Sequence, residues 1–167
     1  MNRADLRSSG RWFALAAAIV IADQIVKLVV LRSLAPGEQR VVTDFLNLVL
    51  VFNKGAAFSL FASAPGWQVP LLSLFAVVAS LVVGWFIVRS PGKPVFCLGL
   101  GLILGGAIGN VIDRLRFGHV VDFVDVHAFG WHWPAFNVAD SAISVGAVIL
   151  ILEGFIGREK RSSLREQ

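Results

Sequence analysis

Charge is scarce in this chain and cysteine almost absent. Charged residues fill 16% of the 167 positions, against about 25% in an average soluble domain, while 56% are hydrophobic and the mean hydropathy is +0.75. That shortage excludes a soluble domain. Cys97 is the only cysteine, so an intrachain disulfide and a cysteine-rich metal site are excluded; one thiol in an apolar run reads as packing. Long repeats, low-complexity tracts and a His-Glu-x-x-His pattern are also missing. The net charge of +4 and pI near 10 would suggest nucleic acid in a soluble protein. Here the bases stand just beyond apolar blocks, where they read as topology signals and lipid headgroup contacts, so no nucleic-acid partner is expected.

What the sequence does have is four apolar blocks, at about 12–31, 67–88, 95–115 and 136–156, and a bilayer core about 30 Å thick takes about 20 helical residues per crossing. The expected architecture is an all-α membrane protein, four transmembrane helices in a single polytopic domain over residues 1–167. The Ala16-Ala17-Ala18 stretch superficially resembles a leader cleavage region, but its block runs on past Asp23 and Lys27 into more Val and Leu, unlike a removable leader. Four crossings put both ends on one side. Arg3, Arg7, Arg11, Arg89, Lys93, Arg158, Lys160, Arg161 and Arg165 outnumber Arg32, Arg40, Lys54, Arg114 and Arg116 at the other face, which places both termini in the cytoplasm. Trp12 and Trp85 then mark the inner interface, and Trp67, Trp131 and Trp133 the outer one.

Two outer segments remain, 32–66 and 117–135. Val41 to Asn53 is rich in β-branched and aromatic residues and is expected as a small β-strand cradle at the membrane surface. Ala56 to Phe61, closed by Ala64-Pro65-Gly66, is expected as a short interfacial helix. Gly101, Gly105 and Gly109 give the third span a face almost free of side chains, and Ala14, Ala18 and Ala22 give the first a similar one; both are expected to pack against neighbours.

Ionisable groups inside a bilayer cost about 2.5 to 3.5 kcal/mol each on insertion scales, so those that persist usually face a site or a partner. Asp23 and Lys27 lie toward the outer end of the first span, Asn110, Asp113 and Arg114 at the outer end of the third, and Asn137 and Asp140 at the outer start of the fourth. The polar groups therefore converge on one layer. Each has a plainer reading. Asp23 and Lys27 at i, i+4 form a self-neutralising pair, with Gln24 as a further donor; Arg114 snorkels, or reaches a carboxylate, a carbonyl or a lipid phosphate; Asn137 and Asp140 make a helix cap. Asp122 weighs against the last of these, since it offers Asp140 a second acid between apolar residues. Two carboxyls in a partly dry site share a proton, and such a dyad hydrolyses amides with neither metal nor covalent intermediate. Ser141 and Ser144 lack an obvious histidine for nucleophilic chemistry. His119, His127 and His132 with Asp122 and Asp125 offer a metal alternative, but at no fixed ligand spacing, and no metal or other cofactor is expected.

With these residues in view, the sequence resembles the bacterial lipoprotein signal peptidases (signal peptidase II). The matching segments, in family order, are Asp23-Gln24-x-x-Lys27, Asn53-Lys54-Gly55-Ala56-Ala57-Phe58-Ser59, Gly105-Gly106-Ala107-Ile108-Gly109-Asn110-Val111-Ile112-Asp113-Arg114, Val121-Asp122-Phe123-Val124-Asp125 and Phe136-Asn137-Val138-Ala139-Asp140-Ser141. The resemblance implies an aspartic endopeptidase of the inner membrane, with Asp122 and Asp140 as the catalytic pair. It implies that Asp23, Lys27, Asn53, Gly55, Asn110, Asp113, Arg114, Asn137 and Ala139 bind substrate or brace the pair. The implied substrate is a prolipoprotein carrying diacylglyceryl-cysteine, cut just before that cysteine near the outer face, by a monomer in contact with membrane lipid. The Gly55 to Phe61 element is expected to cradle substrate from above. The rival reading is a small proton- or ion-coupled transporter, with Asp23, Lys27, Asp113 and Asp140 as relay groups. Against it, no inverted repeat is visible and the polar residues gather at one face. A non-catalytic scaffold is a further alternative.

Overall fold

The computed structural model describes residues 3–55 and 66–163, with side chains over 9–55 and 66–156. The expected interfacial helix at 56–61 lies outside the described residues. Four helices carry the chain back and forth: α1 (Arg3–Ser33), α2 (Gln68–Arg89), α3 (Pro94–Phe117) and α4 (Val138–Ser163). Each is long and apolar enough to cross a membrane, over Ser9–Ser33, Gln68–Arg89, Pro94–Phe117 and Val138–Ile156. Their ends follow local chemistry. Pro94 opens α3 where its missing N–H is no loss, and Gly118, at φ 72°, closes it with its N–H on the Arg114 carbonyl.

α2 exposes Leu71, Leu74, Phe75, Val78, Leu81 and Val82 along its length, as suits a helix bathed in acyl chains. α3 is the helix the others pack on, because glycines open it on two sides. A Cβ at Gly105 would sit 2.8 Å from the Ala16 carbonyl of α1, and one at Gly106 would collide with the Ala139 carbonyl of α4. Gly99 and Gly146 face each other's carbonyls farther down the α3–α4 seam. The packing face of α1 departs from expectation. Ala14, Ala18 and Ala22 are exposed, and the side turned to α3 runs through Trp12, Ala16, Ile19 and Asp23. The reason is the polar anchor: Asp23 and Lys27 must be buried, and they fix the rotation of the helix about its axis.

A four-stranded antiparallel sheet, in the order β1-β2-β3-β4, covers one end of this bundle: β1 (Gln39–Thr43), β2 (Leu46–Asn53), β3 (Val120–Ala128) and β4 (Trp131–His132). The strand-rich stretch from Val41 to Asn53 thus folds as a hairpin. The second outer segment, read from sequence only as a connection, supplies β3, which pairs with β2 from Leu46↔Val126 to Asn53↔Val120 around an irregularity between Leu48 and Val51. Positive φ at Phe129 (52°) and Gly130 (79°) makes the tight turn into β4. Leu50, Val121 and Phe123 pack on Val30 and Leu34 at the end of α1, and this contact seats the sheet over the polar layer.

Candidate active site

The polar layer is a continuous network drawn from α1, α3, α4, β2 and β3. Asp122 projects from β3 and is 2% exposed. One of its oxygens accepts from Asn137 Nδ2 at 2.7 Å and the other from Asn53 Nδ2 at 3.0 Å. Asp140, in the first turn of α4, accepts from Asn110 Nδ2 at 2.8 Å and from the Asn137 backbone N–H at 3.3 Å. The Asp140 N–H returns a 2.9 Å bond to Asn137 Oδ1. The Asn137–Asp140 pair is therefore a reciprocal helix cap. It is also more than that, since the same Asn137 amide donates to Asp122. Burial, reinforced by the Asp140 carboxylate, pushes the Asp122 pKa up to about 7 against the pull of Asn53, Asn137 and Lys27.

Beneath the two acids lies a buried ion cluster. Lys27 Nζ is 2.7 Å from Asp23 Oδ2 and 2.7 Å from Asp113 Oδ2, and it donates to Asn110 Oδ1 at 3.2 Å. Gln24 bonds Asp113 at 2.8 Å as well as Asp23 at 3.3 Å. Asp23 also accepts from the Ala139 N–H at 2.9 Å, and Asp113 from the Val121 N–H at 3.1 Å. One lysine thus joins α1 to α3, while its two acids reach α4 and β3. A charge buried this deeply is tolerated only because its partners satisfy it. Asp113 and Arg114 diverge: Arg114 Nη2 donates to the Gly55 carbonyl at 3.0 Å, and the Gly55 N–H bonds Asn53 Oδ1 at 2.9 Å. Gly55 so links the guanidinium to the amide that holds Asp122.

Every residue singled out from sequence for this site is in that network. Sequence reading left out two of its partners, the Asp113 bond from Gln24 and the Val121 N–H; the first shows no periodic signal, and the second follows from the unrecognised strand. The histidines of the metal alternative lie elsewhere. His119 lies tilted against Phe52 and stacks on Phe117, at centroid distances of 4.3 and 5.9 Å, and His127 stacks on His132 at 4.9 Å. His132 Nδ1 is 2.9 Å from Asp125, which also accepts from Asn47 at 2.8 Å. Among the described residues, no group of three or more histidine, cysteine or acidic side chains is arranged to hold a metal ion.

A family model described as Signal peptidase (SPase) II matches residues 15–156, and these contain every member of the network. The chain belongs to the signal peptidase II family. A lipoprotein signal peptidase of Janthinobacterium sp. (strain Marseille) is 52% identical over 142 residues, covering 85% of this chain and 86% of that protein. One from Ralstonia nicotianae is 51% identical over 144 residues, covering 86% and 83%. A solved structure described as a bacterial membrane enzyme, obtained by the in meso method at 2.3 Å, superposes with a TM-score of 0.80 at 27% identity, covering 90% of this chain and 91% of that one. Membership of the signal peptidase II family makes the chain a peptide-bond hydrolase, and the family together with four helices apolar enough to cross a membrane points to a multi-pass inner-membrane protein. The transporter reading is not favoured.

Proposed function

We propose that the chain is an intramembrane aspartic endopeptidase that removes the signal peptide from diacylglyceryl-modified prolipoproteins, cutting immediately before the lipidated cysteine. The substrate class follows from relatives named lipoprotein signal peptidase. The chemistry rests on one observation: Asn137 holds Asp122 with its side chain and Asp140 with its backbone N–H.

Two acids held by one residue, each within reach of the other's charge, share one proton near neutrality. The ionised member takes a proton from water, and the resulting hydroxyl attacks the scissile carbonyl while the protonated member donates to the carbonyl oxygen. When the tetrahedral adduct collapses, the C–N bond breaks and a proton passes to the departing nitrogen. Asn53, Asn110 and Asn137 aim the carboxylates. Asp23, Lys27, Asp113 and the Ala139 N–H brace the helix starts beneath them, and Arg114 with Gly55 holds the mouth of the site. Two acids supply both proton-transfer roles, so the reaction calls for no cofactor. Lipidation keeps the substrate in the leaflet and presents its cysteine at the interface, which suits a site at the end of the bundle. We place that end at the outer face, with both termini in the cytoplasm, the four crossings forming one domain that works as a monomer among membrane lipids.

The test is cleavage of a diacylglyceryl-modified prolipoprotein by purified protein beside Asp122→Asn and Asp140→Asn. Each substitution keeps shape and removes an acid. Turnover should be lost in both while binding persists; activity surviving in both would overturn the dyad, and loss of activity to a chelator would point to metal chemistry instead.

A further inference from the structure

The end of the bundle away from the aspartates holds a feature that catalysis does not use. The start of α1, the end of α2 and the start of α3 meet there: Ser9 Oγ donates to the Ile87 carbonyl at 3.4 Å, and Cys97 Sγ donates to the Ser90 carbonyl at 3.1 Å. Three exposed cations surround this junction, each beside an aromatic ring. Arg11 lies 4.5 Å from the Trp12 ring centre, Arg89 5.6 Å from that of Trp85, and Lys93 5.8 Å from that of Phe96. Arg11 and Lys93 are both near enough for their charges to act on Cys97, as is Glu153 from α4. Among the described residues, none of the three cations has a carboxylate within ion-pair distance.

Beside this collar an apolar groove of about 330 Å³ opens between α1 and α3, lined by Phe13, Ala17, Val20 and Ile21 on one side and Leu104 and Ile108 on the other. Its lower end adjoins the collar, because the Phe13 ring packs on Gly84 of α2, one turn before Ile87. The groove then follows about two turns of α1 toward the middle of the bundle.

We infer that the groove and collar together bind an anionic glycerophospholipid of the leaflet opposite the aspartates, its phosphate among Arg11, Arg89 and Lys93 and one acyl chain in the groove. Charge decides the occupant. A signal-peptide helix begins with a basic segment, which the collar would repel. A second copy of this chain would bring the same basic end. An anionic headgroup gains from each cation, about fivefold in affinity per charge near a membrane surface, and the flanking rings keep the cations at headgroup depth.

The experiment is native mass spectrometry of the protein released from nanodiscs of equal phosphatidylglycerol and phosphatidylethanolamine, for the wild type, for Arg11→Gln/Arg89→Gln/Lys93→Gln and for Ala17→Phe. The wild type should retain phosphatidylglycerol at least about tenfold over phosphatidylethanolamine. The charge variant should lose that preference, and Ala17→Phe should lose retained lipid of both kinds. Prolipoprotein cleavage in detergent, read on all three proteins, checks that they are folded. Equal retention of the two lipids by the wild type would overturn the inference, as would a preference that survives the charge variant. So would release of the lipid by a synthetic apolar helix with a basic start, which would assign the groove to peptide.

Discussion

Asp23 of α1 accepts a hydrogen bond at 2.9 Å from the backbone N–H of Ala139, in the first turn of α4. The two residues lie 116 positions apart and both are 0% exposed, so an acid in the first span holds the start of the helix that carries Asp140. Asp23→Ala removes this acceptor and one of the two carboxylates on Lys27. Breaking a buried charge cluster costs about 3–5 kcal/mol. A clear drop in thermal unfolding temperature in detergent is expected, with loss of cleavage. A variant as stable as the wild type would show that the cluster carries little of the fold.

Asn137 combines a capping role with its grip on Asp122, and substitution separates the two. Asn137→Ser keeps an N-cap oxygen, among the favoured cap types, but has no amide to reach Asp122. It leaves the buried acceptors on Asp122, Asn110 and Val121 without their Asn137 donor, so it should lose about 1–3 kcal/mol of stability while kcat falls at least about tenfold. Asn137→Ala loses the cap as well, and should be both less stable and inactive. Equal activity in wild type and Asn137→Ser would sever the bridge from catalysis.

The Asp122 carboxyl titrates near 7, far above the ordinary value. If the shared proton is required, kcat/KM should fall on the alkaline side with a midpoint near that pH. The Asn53 bond favours the ionised form, so Asn53→Ala should move the alkaline limb to higher pH. Stability carries the same sign. The native state holds this proton while the unfolded chain has lost it, so stability falls as pH rises from the ordinary carboxyl range to about 7. Asp122→Asn lacks that dependence, and its melting temperature should gain on the wild type between pH 5 and 8. Parallel melting curves across that range would contradict the raised value.

The α3 seams tolerate no added atoms. Gly106→Ala would drive a methyl into the Ala139 carbonyl, and Gly105→Ala would place one 2.7 Å from Ile19 Cβ. Overpacking of this kind costs about 1–3 kcal/mol or more, and at Gly106 it also displaces the first turn of α4. Gly154→Ala, with nothing within 4 Å, is the control and should leave expression and unfolding unchanged. The measurement is detergent-extracted folded yield with unfolding temperature.

The layer of polar groups is legible in the sequence alone. Asp23, Lys27, Asn110, Asp113, Arg114, Asn137 and Asp140 stand at one depth in runs of apolar residues, and expensive groups at a common depth imply a common purpose. Their partners were not legible. The i, i+4 pair of Asp23 and Lys27 looks self-contained, yet Lys27 is as close to Asp113 as to Asp23. Arg114 had several candidate acceptors and takes the Gly55 carbonyl. β3 is hidden in the sequence because Val120–Ala128 mixes strand-like alternation with acids and a histidine, and its pairing partner lies in a segment over sixty residues earlier.

Composition and depth, then, determined that this chain crosses the membrane four times and where along each crossing its polar groups fall, because a bilayer penalises every charge by position alone. Helix rotation was beyond their reach. Lipid is as apolar as Leu and Val, so apolar periodicity exerts no torque on a transmembrane helix, and the small faces of Ala14, Ala18 and Ala22 remained unused. Tertiary structure made that choice, by burying Asp23 and Lys27 against α3 and by laying β3 across β2, which carries Asp122 to the Asn137 amide.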